Sequence, residues 1–179
     1  MKGMVFTEFI EFVEDKFGFE VSDYIISNSE LKSDGVYTAV GTYDFQEMVN
    51  LLISLQAKTE IPIAQLLEVF GHHLFNRFVD LYPEFMEQSQ SLFDFIGKID
   101  QYIHVEVKKL YPDAELPKIV VNNQTDDYMD IIYKSDRKLG VFALGLLKGA
   151  SEFFKVPLDI EMNNLVEDGS EVQFILSKK

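Results

Sequence analysis

Tyr133-Lys134-Ser135-Asp136-Arg137 is the most informative stretch of the sequence. It begins at the last residue of a run, 128–133, that is rich in aromatic and β-branched residues and predicts a strand. In an extended chain, residues two apart face the same side, so the hydroxyls of Tyr133 and Ser135 and the guanidinium of Arg137 would converge. These donors suit a bound group with two carboxylates, because a guanidinium binds a carboxylate through two parallel hydrogen bonds. The alternative interpretation is structural: Tyr133 ends the strand, Ser135 caps the next helix and Arg137 is solvated.

The residues on either side of this stretch predict a small antiparallel sheet and one helix. A strand over 118–121 precedes the strand at 128–133, and the polar loop 122–127 joins them. Two further strands are expected at 158–162 and 171–176, after the turn signal Asp168-Gly169. A helix over about 138–154 separates the two pairs of strands.

The first two thirds of the chain show the apolar spacing of amphipathic helices. One helix is predicted over 4–17 and a weaker one over 21–27. A third begins at the capping box formed by Asp44 and Glu47. Two longer helices run from Ile61-Pro62 to Pro83 and from Ser91 to Pro112. The fold class is therefore α+β, with helices first and a mixture of sheet and helix last.

Composition limits the possible functions. The 179 residues fit one domain, and 47% of them are hydrophobic, which is enough for a core. The net charge of −14 disfavours nucleic acid and membrane surfaces as partners. The chain has no Cys, which excludes disulfides, iron–sulfur clusters and thiolate zinc sites. No signal peptide or membrane-spanning run is visible, so a cytoplasmic location is expected.

The three histidines are candidates for chemistry. His104 lies at the edge of the apolar stripe of the predicted helix 91–110, and neutral imidazole is a good axial ligand for haem iron. The alternative is a half-buried histidine bonded to a carbonyl, which the spacing alone favours. His72 and His73 flank an apolar stripe and are expected to face water or the stripe edge.

Several segments, in collinear order over essentially the whole chain, resemble the H-NOX family of haem–nitric oxide/oxygen-binding domains. They are Met1-Lys2-Gly3 with the Phe-rich helix after it, Phe70-Gly71-His72-His73-Leu74-Phe75, residues 103–112, Ala114-Glu115-Leu116-Pro117, the Tyr133-x-Ser135-x-Arg137 stretch, and residues 145–150.

The resemblance implies a single domain, 1–179, in which haem b (iron protoporphyrin IX) lies between two subdomains. The distal subdomain, about 1–60, would be helical, and the proximal subdomain, about 61–179, would hold helices and a four-stranded antiparallel sheet. His104 matches the iron ligand, Tyr133, Ser135 and Arg137 match the residues that bind the haem propionates, and Pro117 matches a proline that distorts the porphyrin. Pocket positions around the haem or its gas site match Val5, Leu74, Phe78, Phe142 and Leu146.

The implied function is gas sensing rather than catalysis. Some relatives that bind dioxygen stably carry Tyr at the position of Phe142, whereas Phe142 and Leu74 offer no donor to bound dioxygen. The expected ligands are therefore nitric oxide and, more weakly, carbon monoxide. Nitric oxide would break the Fe–His104 bond, and the two halves would then shift and signal in trans to a histidine kinase or a diguanylate cyclase/phosphodiesterase.

An alternative is a haem enzyme of the peroxidase type, with His72 or His73 as its distal base. That chemistry needs a polar distal face, which the apolar side chains of Phe142 and Leu74 do not provide.

Overall fold

A computed structural model describes all residues from 1 to 179. The chain forms eight α-helices, one π-helical turn and four strands. In order, they are α1 (Gly3–Phe17), α2 (Phe19–Ser27), α3 (Phe45–Thr59), α4 (Ile63–Leu81), α5 (Pro83–Glu87), α6 (Leu92–Lys98), the π-helical turn (Ile99–Ile103), α7 (His104–Leu110), β1 (Lys118–Gln124), β2 (Tyr128–Lys134), α8 (Gly140–Phe153), β3 (Leu158–Asn164) and β4 (Glu171–Lys178).

The α+β class is confirmed, with one antiparallel sheet in the strand order β1-β2-β4-β3. Side chains that alternate along β2 and β4 point into a core against α6 and α8. Tyr133 pairs with Val172 in this sheet, so the last residues of β2 are held firmly where the chain leaves for the segment Ser135–Arg137.

Two hydrophobic cores stabilise the molecule. One gathers buried residues between Phe6 and Leu74, mainly from α1, α3 and α4, and the other gathers buried residues between Phe75 and Leu176. Helix α4 contributes to both, and partly buried Leu146 on α8 packs against both. The space between the two cores is where the candidate site lies.

Helices α4 and α8 cross at a pair of glycines. A Cβ atom on Gly71 would lie 2.2 Å from the carbonyl oxygen of Phe142, and one on Gly145 would lie 2.0 Å from that of Glu68. The two backbones can approach this closely only because neither residue has a side chain. The crossing brings Leu74, Phe142 and Leu146 to the same region.

Two local details go beyond the predictions or differ from them. Pro83 closes the predicted helix, since α4 ends at Leu81, but it also opens α5, a short helix that was not predicted. The predicted helix 91–110 begins after the N-cap Ser91 as expected but is interrupted by the π-helical turn. The apolar residues Leu81 and Leu110 are 44% and 62% exposed, because each lies in the last turn of its helix.

None of the helices combines the length and the apolar character that a membrane span requires.

Candidate functional site

A cavity of about 300 Å³ lies between the two cores, and 25 of its 31 lining residues are hydrophobic. All ten residues that the family resemblance assigns to the haem site line this one cavity. These are Val5, Leu74, Phe78, His104, Pro117, Tyr133, Ser135, Arg137, Phe142 and Leu146. They come from α1, α4, α7, α8, β2 and the loops beside them, so the fold brings together residues up to 141 positions apart in the sequence (146 − 5).

His104 stands where the π-helical turn passes into α7. Its side chain is 17% exposed, and its buried Nδ1 atom has no hydrogen-bond partner, although the carboxylate of Asp100 lies 3.5 Å away. Burial lowers the pKa of His104, with Asp100 opposing the shift. The ring is therefore neutral near pH 7 and keeps a lone pair available for a metal ion.

Tyr133, Ser135 and Arg137 reach the cavity by a different route from the one predicted. Only Tyr133 lies in the strand, because the chain turns after Lys134 and the Ser135 hydroxyl accepts a hydrogen bond of 3.2 Å from the backbone N–H of Arg137. Ser135 therefore caps this turn and not α8, which begins at Gly140 after Leu139. Burial raises the pKa of Tyr133, so its hydroxyl remains a donor.

Glu115 is a residue that the sequence analysis did not identify. Its backbone oxygen accepts a 2.9 Å hydrogen bond from Arg137 Nη1, and its carboxylate lies 2.5 Å from Arg137 Nη2. The Glu115 side chain is 82% exposed, whereas that of Arg137 is 20% exposed. The guanidinium thus already holds one carboxylate at the mouth of the cavity.

The opposite part of the cavity is apolar. Val5 on α1, Leu74 and Phe78 on α4, and Phe142 and Leu146 on α8 present only hydrocarbon. No hydrogen-bond donor exists among these five side chains.

Tyr82 and Tyr111 also line the cavity and were missed. Each follows the last residue of a helix and precedes a proline, which favours the extended conformation that turns the side chain away from the helix. The repeated Tyr-Pro pair was the signal available in the sequence. Burial, followed by the nearby hydroxyl of Tyr111, raises the pKa of Tyr82 to about 12.

Neither His72 nor His73 lines the cavity. His72 Nε2 lies 2.7 Å from the carboxylate of Glu152. His73 packs against Phe12 with ring centroids 5.3 Å apart, and its Nε2 has no partner. The peroxidase alternative therefore lacks the distal base on which it depends.

A family model described as haem-NO-binding (HNOB) matches residues 2–162. The chain belongs to the H-NOX family. Members of this family are haem-based gas sensors, as the resemblance in sequence had implied.

Solved H-NOX structures resemble this chain over its full length. The H-NOX protein from K. algicida, in the unliganded Fe(II) state, is 45% identical, with a TM-score of 0.96 over 100% of this chain and 97% of that chain. An H-NOX from Shewanella woodyi, in the Fe(II)CO state with the compound IWP-051 bound, is 39% identical, with a TM-score of 0.86 over 100% and 95%.

A third structure is more distant in sequence. The H-NOX protein from S. oneidensis in the Fe(II)NO state is 25% identical, with a TM-score of 0.92 over 100% of this chain and 99% of that chain. A sequence comparison with curated proteins finds no match.

The residues of this H-NOX cavity fit a haem. A porphyrin is a large apolar macrocycle with two carboxylates at one edge, and the cavity offers hydrocarbon walls with hydroxyls and a guanidinium at one end. His104 is the one imidazole on its wall, and it has the neutral form that iron requires.

Proposed function

We propose that this H-NOX protein binds haem b through His104 and senses nitric oxide. The single observation that carries the proposal is the placement of one neutral imidazole, three carboxylate-binding donors and five hydrocarbon side chains around one cavity. No other cavity-lining residue is a histidine, so His104 is the proposed iron ligand.

The donors at the mouth would fix the orientation of the macrocycle. We propose that the Tyr133 and Ser135 hydroxyls and the Arg137 guanidinium bind the propionates, because charge-assisted and bidentate bonds are strong where water is partly excluded. Pro117 follows Leu116 on the same wall, and its rigid ring would press on the porphyrin and distort it.

The apolar part of the cavity would set gas selectivity. Bound dioxygen acquires negative charge that a hydrogen-bond donor stabilises, and Val5, Leu74 and Phe142 supply none. We therefore propose binding of nitric oxide and carbon monoxide and poor binding of dioxygen. H-NOX relatives in Fe(II)NO and Fe(II)CO states support the choice of gases.

The proposed signal begins at His104. Ferrous haem would supply the iron that binds nitric oxide, and His104, its protein ligand, would be released when the gas binds. Pro117 would then no longer hold its strained contact with the macrocycle. Because α7 carries His104 and α1 carries Val5, we propose that the parts on either side of the cavity, about 1–60 and 61–179, shift relative to one another.

The output of this shift would be read by another protein. We propose a histidine kinase or a diguanylate cyclase/phosphodiesterase as the partner in trans, as the family resemblance implies. A binding assay with purified candidates, with and without nitric oxide, tests this step separately from gas binding.

Reconstitution with haem tests the main proposal. The wild-type protein should give a sharp Soret band, form stable ferrous complexes with nitric oxide and carbon monoxide, and form no long-lived complex in air. His104→Ala should lose the ligation spectrum and regain it with added imidazole, whereas His72→Ala, which removes a histidine outside the cavity, should match wild type. A stable oxy complex or a wild-type spectrum in His104→Ala would contradict the proposal.

A further inference from the structure

Helices α1 and α4 meet through three successive contacts that the proposed function does not use. Tyr82, just after α4, donates a hydrogen bond of 3.6 Å to the sulfur of Met4. Glu8 binds Arg77, and Phe12 packs on His73. On α1 these residues are four apart, so they lie on one face of the helix, and the two helices run antiparallel along it.

The middle contact differs from the other two in kind. Glu8 Oε2 lies 2.6 Å from Arg77 Nε and Glu8 Oε1 lies 3.3 Å from Arg77 Nη2, so the pair is bidentate. The Glu8 residue is only 5% exposed, whereas Glu11, Glu14 and Asp15 on the same helix are exposed. A buried carboxylate whose one partner is a guanidinium strongly resists separation, because separation leaves an unpaired charge out of water.

This pair stands one helical turn from the cavity. Val5 lies three residues before Glu8 on α1, and Leu74 and Phe78 flank Arg77 on α4. All three side chains belong to the apolar wall, whereas neither Glu8 nor Arg77 lines the cavity. The pair can therefore act on the cavity only by fixing how the two helices sit against each other.

We propose that the Glu8–Arg77 ion pair positions α1 against α4. It thereby sets the width of the cavity at its apolar wall, where Val5, Leu74 and Phe78 lie. Both are positioning residues, since neither touches the cavity itself. The consequence for gas binding rests on the proposed function, but the positioning of the helices does not.

Two measurements on the full chain test the positioning of the helices and the effect on gas binding separately. Because the protein has no Cys, Asp15→Cys on α1 and Asn76→Cys on α4 provide two unique and exposed sites for spin labels. In this background, Glu8→Gln and Arg77→Met should lengthen or broaden the distance between the labels by roughly 1–2 Å, the scale of a helix shift, with or without haem. Glu68→Gln removes a carboxylate from another ion pair of α4, with Lys148 on α8, and should leave that distance unchanged.

In the haem-loaded proteins, carbon monoxide should associate roughly tenfold faster with Glu8→Gln and Arg77→Met than with wild type or Glu68→Gln. The C–O stretching band should also broaden in the two variants. An unchanged label distance in both variants overturns the positioning role. A changed distance with unchanged association rates and band shape overturns the effect on the cavity. A wild-type protein that takes up no haem contradicts the proposed function, and the label distance still decides the role of the pair.

Discussion

At the mouth of the cavity, the carboxylate of Glu115 and a bound haem propionate would compete for the guanidinium of Arg137. The Arg137 guanidinium is held by the carboxylate and the backbone oxygen of Glu115, yet it is also the proposed partner of a haem propionate. The Glu115 side chain is mostly exposed, so the pair gains little from burial and water screens it. Glu115 is therefore a weak competitor that a bound carboxylate can displace.

Glu115→Gln should consequently slow the transfer of haem from the protein to apomyoglobin. An exposed ion pair contributes at most about 1 kcal/mol, so the effect should not exceed about fivefold. Arg137→Met should instead speed transfer by about 10- to 100-fold, since it removes charge-assisted hydrogen bonds to the propionate. Stopped-flow absorbance at the Soret band measures both, and faster transfer from Glu115→Gln would refute the competition.

His73 makes the stability of the haem-free protein sensitive to acid. Burial lowers the pKa of His73 below its usual 6.5, and its Nε2 atom has no hydrogen-bond partner. As the pH falls through about 6.5, the unfolded chain takes up a proton at this residue before the folded chain does, so the free energy of unfolding decreases. The effect is fully absent well above that pH.

The variant His73→Phe keeps a ring against Phe12 and removes the titration. We expect wild type to lose stability relative to His73→Phe as the pH falls from about 7.5 to about 5.5, and the two to show parallel pH dependence above about 7.5. Urea unfolding at each pH measures the difference. A constant difference across the range would show that His73 does not titrate differently in the folded state.

At the scale of the helices, the crossing of α4 and α8 determines the shape of the cavity. Gly145 lies against the backbone of Glu68, and Leu146, the next residue, lines the cavity. A side chain at position 145 would meet a carbonyl oxygen at 2.0 Å, and backbone cannot move aside as the end of a flexible side chain can.

Gly145→Ala should therefore push α4 and α8 apart and destabilise the protein by about 1–3 kcal/mol. Gly97→Ala is the matched control, because in α6 the new methyl would meet only the Cε of Met129, at 4.0 Å. Removing glycine from a helix interior there should stabilise by up to about 1 kcal/mol. Equal unfolding free energies for the two variants in urea would mean that the crossing tolerates a wider spacing.

The same elements show what local sequence can and cannot predict. Periodicity and capping residues locate α1, α4 and the strands, because these signals depend on near neighbours. The burial of Glu8 has no such signal, because its partner, Arg77, lies 69 residues away in the sequence. Residue type and spacing had already pointed to His104 and to Tyr133, Ser135 and Arg137, and the family resemblance supplied the other six cavity residues. Tyr82, Tyr111 and Glu115 were missed, since their place on the cavity depends on how helix ends and loops turn.

On the scale of the whole molecule, the cavity separates two cores, and a group of hydrogen bonds at its mouth connects them. Lys2, before α1, donates hydrogen bonds to Thr42 and to Asp113, at 2.7 and 3.2 Å, and the Thr42 hydroxyl donates to Asp113 at 2.5 Å. These bonds join the N-terminal segment to the loop after α7. The donors lower the pKa of Asp113, with the bond from Thr42 as the largest cause, so this carboxylate is ionised at neutral pH.

Asp113→Asn should weaken the hydrogen bonds from Lys2 and Thr42, because a neutral amide is a weaker acceptor for an ammonium group than a carboxylate is. The backbone bonds beside it, from Gly3 N–H to Gly41 and from Met4 N–H to Ala39, should then open more often. Hydrogen exchange followed by mass spectrometry should show severalfold faster exchange in peptides covering about 1–5 and 38–43.

Asp168→Asn is the control for Asp113→Asn, since Asp168 is also an exposed carboxylate whose pKa its hydrogen bonds lower, in this case to about 2, but it lies at a turn outside the cavity. Only Asp113→Asn should speed exchange at the N-terminal segment. If the two halves move when His104 is released, nitric oxide should speed exchange at the same peptides in wild type. It should add little in Asp113→Asn, because the hydrogen bonds to residue 113 are already weak there. Equal effects of nitric oxide in both proteins would place the moving contact elsewhere.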